Sequence, residues 1–85
     1  MIIRVSSAFR KAYKKMPAQV KRSAQEKEKI FRANPFDRRL GTHKLHGKYQ
    51  NYWAFTVTGQ HRIMFAFVGS DAADFITIGT HSIYQ

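Results

Sequence analysis

The chain has 85 residues, which suits one small domain and is too short for two separate cores. A hydrophobic content of 44%, with one Trp, four Tyr and seven Phe, excludes a disordered chain, and the lack of cysteine excludes a disulfide framework, a thiolate metal site and a thiol nucleophile. The net charge of +10 is unevenly placed: residues 1–48 hold 14 basic and 3 acidic side chains, whereas residues 49–85 hold only Arg62 against Asp71 and Asp74.

Such polarity points to a polyanionic partner, whether nucleic acid, an acidic protein or an anionic surface. Met1-Ile2-Ile3 runs straight into Arg4, without the apolar stretch of a secretory leader. No apolar run approaches the roughly 20 residues of a membrane span. A soluble, cytoplasmic domain without membrane association is therefore expected.

Ile2, Ile3 and Val5 form a β-branched run that predicts a short strand. Ser6 and Ser7 offer N-cap oxygens, and Phe9, Ala12, Tyr13 and Met16 then recur at i, i+3, i+4 and i+7, one apolar stripe of a helix. Pro17 ends that helix and suits the first turn of a second. Val20, Ala24, Ile30 and Phe31 keep helical spacing until Asn34-Pro35, where the residue before proline is pushed out of the helical region. The segment from Asn34 to Lys48 reads as a long linker.

Beyond it the period changes to two. Trp53, Phe55 and Val57 alternate with Tyr52, Ala54 and Thr56. After the turn Thr58-Gly59-Gln60, Ile63, Phe65 and Phe67 alternate with Arg62, Met64 and Ala66. Gly69-Ser70-Asp71 turns again, and residues 75–80 predict a third strand. The whole is one α+β domain spanning residues 1–85: an N-terminal strand, an antiparallel helical hairpin and a three-stranded antiparallel meander, with the helices on one face of a single sheet.

Three constellations could carry chemistry. Arg10, Lys11, Lys14 and Lys15 crowd one helix with like charges at i, i+4 and no acid before Val20, which makes this helix the better candidate for contact with phosphates or an acidic partner. The second helix instead carries the complementary pairs Arg22/Glu26 and Glu28/Arg32. In the linker, Arg38 and Arg39 precede His43, Lys44, His46 and Lys48, a basic cluster able to hold a phosphate and move a proton. Two histidines at i, i+3 without thiols and with few carboxylates do not predict a metal site, and no cofactor is expected. Finally, Arg62 lies mid-sheet in an otherwise apolar strand, where a guanidinium is costly to desolvate unless it is paired or faces a wet hollow. His81 and Tyr84 follow the last strand, and imidazole is the side chain that exchanges a proton most readily near neutral pH.

In this layout Lys44-Leu45-His46-Gly47, Tyr52-Trp53, His61-Arg62-Ile63-Met64-Phe65 and Gly79-Thr80-His81-Ser82-Ile83-Tyr84 follow one another over nearly the full chain. The sequence resembles the RelE/ParE superfamily of toxins from toxin–antitoxin systems, and its Gly-Thr-His ending is most similar to the YafQ-type branch. That resemblance implies a RelE-like fold and a ribosome-dependent mRNA endonuclease. The ParE branch implies a different activity, inhibition of DNA gyrase.

Carried over by residue, His43 matches a histidine that YafQ-type enzymes use in catalysis, and His81 their C-terminal histidine. Arg62 matches the mid-strand arginine of RelE- and YoeB-type members, and Tyr84 lies one residue early against the terminal aromatic. The chain departs from the family at Thr56, where the YafQ type has a second histidine, and at Gln60, where it has an acid. Trp53 and Phe55 replace the paired lysines of RelE itself.

The implied mechanism is metal-independent attack of a 2′-hydroxyl on the adjacent phosphorus. His43 and His81 transfer the protons in an order that spacing leaves open, Arg62 stabilises the phosphate oxygens, and Tyr84 stacks or positions a nucleotide. The implied partners are mRNA on the ribosome and a cognate acidic antitoxin, with oligomers formed only through the antitoxin complex. Thr56 and Gln60 also leave room for a non-toxic member that merely binds a partner.

Overall fold

The predicted order of elements is found in the computed structural model, which describes residues 1–84: β1 (Ile2–Val5), α1 (Ser7–Lys14), α2 (Ala18–Ala33), β2 (His43–Lys44), β3 (Trp53–Thr56), β4 (Arg62–Val68) and β5 (Ala72–Gly79). Short 3₁₀ turns lie at Arg38–Leu40, Gly47–Tyr49 and His81–Tyr84. The strands form one sheet in the order β1-β5-β4-β3-β2, with β1 parallel to β5 and the other pairs antiparallel.

Local chemistry sets the boundaries. Ser6 is extended, and its Oγ accepts the Phe9 N–H at 2.9 Å, capping α1; the same hydroxyl donates to the Ile76 carbonyl at 2.6 Å and so ties the helix start to β5. Pro17 stands immediately before α2 rather than inside it, and Asn34, extended at φ −160°, ends α2 ahead of Pro35. The helices meet through Tyr13, whose hydroxyl donates to the Lys21 carbonyl at 3.3 Å while the Lys21 ammonium lies 5.9 Å from its ring. Of the two charge pairs expected along α2, Glu28–Arg32 forms at 3.6 Å, and no ion pair joins Arg22 to Glu26 among the described residues.

The core is built from phenylalanine. Phe31 is fully buried, with its ring centroid 5.1 Å from Phe55, 4.9 Å from Phe65 and 5.4 Å from Phe75. Truncating one such ring to alanine typically costs ~3–5 kcal/mol, a large share of what a domain this small has.

The structure adds two features to the meander. The linker holds secondary structure of its own, since its 3₁₀ turn buries Leu40 and its residues His43 and Lys44 pair with Ala54 and Trp53 as the edge strand β2. A two-residue strand has too short a pattern to show in sequence. The last strand begins at Ala72, not at 75, because Ala72, Ala73 and Asp74 pair with Ile2, Ile3 and Arg4. Arg4 grips Asp74 through two hydrogen bonds of 2.7 and 3.0 Å.

Candidate functional site

The sheet has two unlike faces. Phe55, Val57, Ile63, Phe65 and Phe75 point toward the helices. Ala54 and Met64 point the other way, into a smaller cluster with Leu45 that Tyr52, Ile76, Ile83 and Tyr84 cover in part. Residues directly opposed on antiparallel strands share a face. His43 opposes Ala54 and Thr56 opposes Arg62, so alternation puts His43, Thr56 and Arg62 on the helix-free face.

Arg62 is half-buried and makes no ion pair among the described residues; Asp74, one of two acids in its half of the chain, is held by Arg4. One guanidinium nitrogen, Nη1, donates to the Thr58 carbonyl at 2.9 Å and to the His61 carbonyl at 3.0 Å. Nε and Nη2 have no partner among the described residues. The charge is thus aimed by backbone and left uncompensated, which is how a bidentate anion grip is built.

The Thr58–His61 turn that aims it was legible only as a turn. The Thr58 Oγ1 accepts the N–H groups of Gln60 at 3.2 Å and His61 at 3.0 Å, and lies 2.9 Å from the His61 Nδ1. With its lone pairs so used, the hydroxyl proton goes to the Nδ1. A threonine three residues before a histidine, in a Gly-containing turn, is the signal that could have marked it.

Beyond Gly79, which opposes Arg62, the chain folds back under this face as the His81–Tyr84 turn. Tyr84 packs on the cluster of Leu45, Ala54 and Met64, and its buried hydroxyl has no hydrogen-bond partner among the described residues. Burial pushes that phenol above its usual pKa, and the nearby positive charge of Arg62 partly offsets the rise. The His81 ring, exposed, stands edge-on to Tyr84 with centroids 6.1 Å apart. Arg62, Tyr84 and His81 are therefore neighbours on one side of the molecule.

His43 comes to the same face from the edge strand. Its Nδ1 lies 3.0 Å from the Gly41 carbonyl oxygen, which can only accept, so Nδ1 carries the proton and the neutral ring keeps its lone pair on Nε2. Gly41 is left-handed at φ 59°, and a side chain there would meet the Thr56 Oγ1 at 3.4 Å. The His43 anchor therefore lies close to Thr56, the residue that opposes Arg62.

The other predicted residues are not gathered there. Arg10, Lys11 and Lys14 are exposed on α1 and Lys15 at its C-cap, in the layer on the far side of the sheet. Arg38 is exposed, while Arg39 is engaged by Asp37 through two side-chain bonds of 3.0 Å. That contact and the Arg39 N–H lower the Asp37 carboxyl to about 2. Lys44 opposes Trp53 on the helix side, His46 is exposed, and the Lys48 ammonium lies 5.2 Å from the Tyr49 ring. Among the described residues no three side chains of His, Asp or Glu come together as metal ligands, and no helix is long and apolar enough to cross a membrane. A cleft of about 290 Å³ lies between the helices, away from this site, over Phe9, Tyr13 and Phe75.

No protein-family model matches the chain, and no curated protein matches its sequence. Solved structures do match. A YoeB/ParE toxin from Agrobacterium tumefaciens superposes with a TM-score of 0.81 at 19% identity, covering 95% of this chain and 99% of that one. YafQ from E. coli strain BL21(DE3) gives 0.77 at 18%, covering 96% and 94%. A chain of the RelB–RelE antitoxin–toxin complex from Methanococcus jannaschii gives 0.75 at 24%, covering 95% and 94%. The architecture is that of the RelE/ParE-like toxins, YafQ included, as the sequence resemblance implied.

Proposed function

We propose that this chain, with its RelE/ParE-like fold, is the toxin of a toxin–antitoxin pair and cuts messenger RNA on the ribosome without a metal ion. The observation that carries the reading is Arg62: a guanidinium held by two carbonyls, free of any carboxylate among the described residues, on the face where Tyr84 and His81 close in. A phosphodiester is the natural occupant of such a place.

The cut needs an attacking 2′-hydroxyl, a base for its proton and an acid for the leaving oxygen. The 2′-oxygen bonds to the adjacent phosphorus as the bond from phosphorus to the 5′-oxygen breaks, leaving a 2′,3′-cyclic phosphate and a 5′-hydroxyl. His43, with its lone pair on Nε2, takes the 2′ proton. His81, protonated, supplies the proton to the 5′-oxygen. Arg62 balances charge on the non-bridging oxygens as it grows. Tyr84, a phenol that is neutral near neutral pH and is pushed further that way by burial, is the wall against which His81 and Arg62 are set. Each proton transfer is worth roughly 10²–10⁴-fold.

An acidic antitoxin suits the +11 balance of residues 1–48 (14 basic less 3 acidic), and a RelB–RelE complex among the structural neighbours supports such a partner. One observation favours a second reading. The four exposed cations of α1 and its C-cap lie across the sheet from Arg62, so they are free to hold a target such as gyrase with no histidine involved. Purified chain is assayed for cleavage of a ribosome-bound message and for inhibition of gyrase supercoiling, alongside His81→Ala and Arg62→Ala. Cleavage lost in both variants supports the nuclease; gyrase inhibition retained by both, with no cleavage by wild type, overturns it.

A further inference from the structure

The exposed aromatic patch at the β2 edge has no role in the site described above. Phe36 is 56% exposed, yet it is held firmly. It sits in a turn closed by the Asp37 N–H on the Asn34 carbonyl at 3.0 Å, its own N–H is taken by the Asn34 side chain at 3.0 Å, and Thr42 donates to the Pro35 carbonyl at 2.5 Å. Its ring rests on Trp53, with centroids 5.5 Å apart, and on Phe67 at 5.7 Å. A large apolar ring fixed in water with two aromatic supports marks a contact surface.

The charges around it select the contact. Lys44 opposes Trp53 on this face, and Arg38, exposed, follows two residues after Phe36. The one acid of the turn, Asp37, is consumed by Arg39. An aromatic platform flanked by free cations is the arrangement that binds single-stranded nucleic acid, the ring taking a base and the cations the phosphates. The patch is also continuous with the catalytic face. His43 and Lys44 are adjacent residues of a two-residue edge strand, one on each side of the sheet, so a strand passing His43 crosses the edge at Lys44 and reaches Phe36.

We propose that Phe36 stacks an unpaired base of the bound RNA strand, with Lys44 and Arg38 holding the flanking phosphates. This rests on RNA being the substrate, as proposed above, and adds a subsite outside the reacting phosphate.

Trp53 is the only tryptophan and touches Phe36, so its fluorescence reports the patch. The probe is a 2′-O-methyl decauridylate, which cannot be cut because the attacking hydroxyl is capped. Saturable change in Trp53 emission is expected. By anisotropy of the labelled oligomer, Phe36→Ala should weaken binding about 5- to 150-fold, the range for loss of one stacked base, with Phe36→Tyr restoring it. Lys44→Ala and Arg38→Ala should each reduce the slope of log affinity against log salt by about one, while Phe36→Ala leaves the slope unchanged.

Equal binding by Phe36→Ala, or Trp53 emission that stays constant while the oligomer binds, overturns the proposal. So does a Trp53 response confined to the co-purified antitoxin, which would assign the patch to a protein. The two readings are measured separately: cleavage of a ribosome-bound message by wild type tests the chemistry, and binding of the capped oligomer by Phe36→Ala tests the stacking, so failure of either shows in its own assay.

Discussion

Gly79 and Ile83 are packed so closely that any side chain at position 79 would force the C-terminal turn to shift. A Cβ built on Gly79 would lie 2.5 Å from the Ile83 Cγ2, a methyl on a branched carbon with little freedom to retreat. Gly79 opposes Arg62 in the sheet, and Ile83 belongs to the turn that carries His81 and Tyr84. The missing side chain is therefore what lets the C-terminal turn lie against the Arg62 face.

Gly79→Ala should lift that turn while leaving the Phe31 core alone. The expected result is a stability loss of ~1–3 kcal/mol, as for overpacking elsewhere, together with a fall in cleavage of roughly 10–100-fold from misplaced groups. Thermal melting and message cleavage on ribosomes check it. Wild-type cleavage would mean that the turn's position does not matter to the chemistry.

His43→Ala and His81→Ala should each reduce cleavage by about 10²–10⁴-fold with little change in ribosome association. Their pH–rate profiles should differ: loss of the base removes the acid-side limb, and loss of the acid removes the alkaline limb. A profile unchanged in shape for either variant would remove that histidine from proton transfer.

Thr58→Val keeps the shape of the β3–β4 turn's side chain but deletes the oxygen that accepts from Gln60 and His61. The carbonyls that hold Arg62 should loosen, lowering kcat about tenfold or more while KM changes little. Thr58→Ser should restore activity, which a purely packing role for the methyl group would not allow.

Much of the fold was legible because periodicity and caps agree. Phe9, Tyr13, Val20, Ala24 and Phe31 keep helical spacing, and the alternation of Trp53 to Val57 and Ile63 to Phe67 sorts side chains onto the faces they occupy. β2 was not legible, since two residues cannot show a period, and β5 began early because Ala72–Asp74 are specified by pairing with β1 rather than by their own pattern. The site was legible in part. Arg62 declared itself as a lone cation in an apolar strand, and the structure finds it without an acid among the described residues. Its tether to Thr58 and His61 runs through backbone carbonyls, which every residue has, and so leaves no signature. The α1 cations announced a polyanion but could not say which side of the sheet they serve.

Acid stability follows from Asp37 and Asp74. Hydrogen bonds from Arg39 lower the Asp37 carboxyl to about 2, and those from Arg4 lower Asp74. Each folded value lies below the unfolded value of roughly 3.9, so the stabilisation is complete above that pH and fades as the pH falls toward the folded value. Both pairs are solvent-accessible, and each contributes modestly. Asp37→Asn leaves an oxygen able to cap the Arg38–Leu40 turn but removes the charge, and Asp74→Asn does the same opposite Arg4. Both variants should therefore melt below wild type at pH 7, by an amount that shrinks between pH 4 and pH 2 and then vanishes. Salt should narrow the gap at pH 7. Melting curves recorded across that range decide it, and a gap that persists undiminished at pH 2 would show that the carboxylates act by shape rather than by charge.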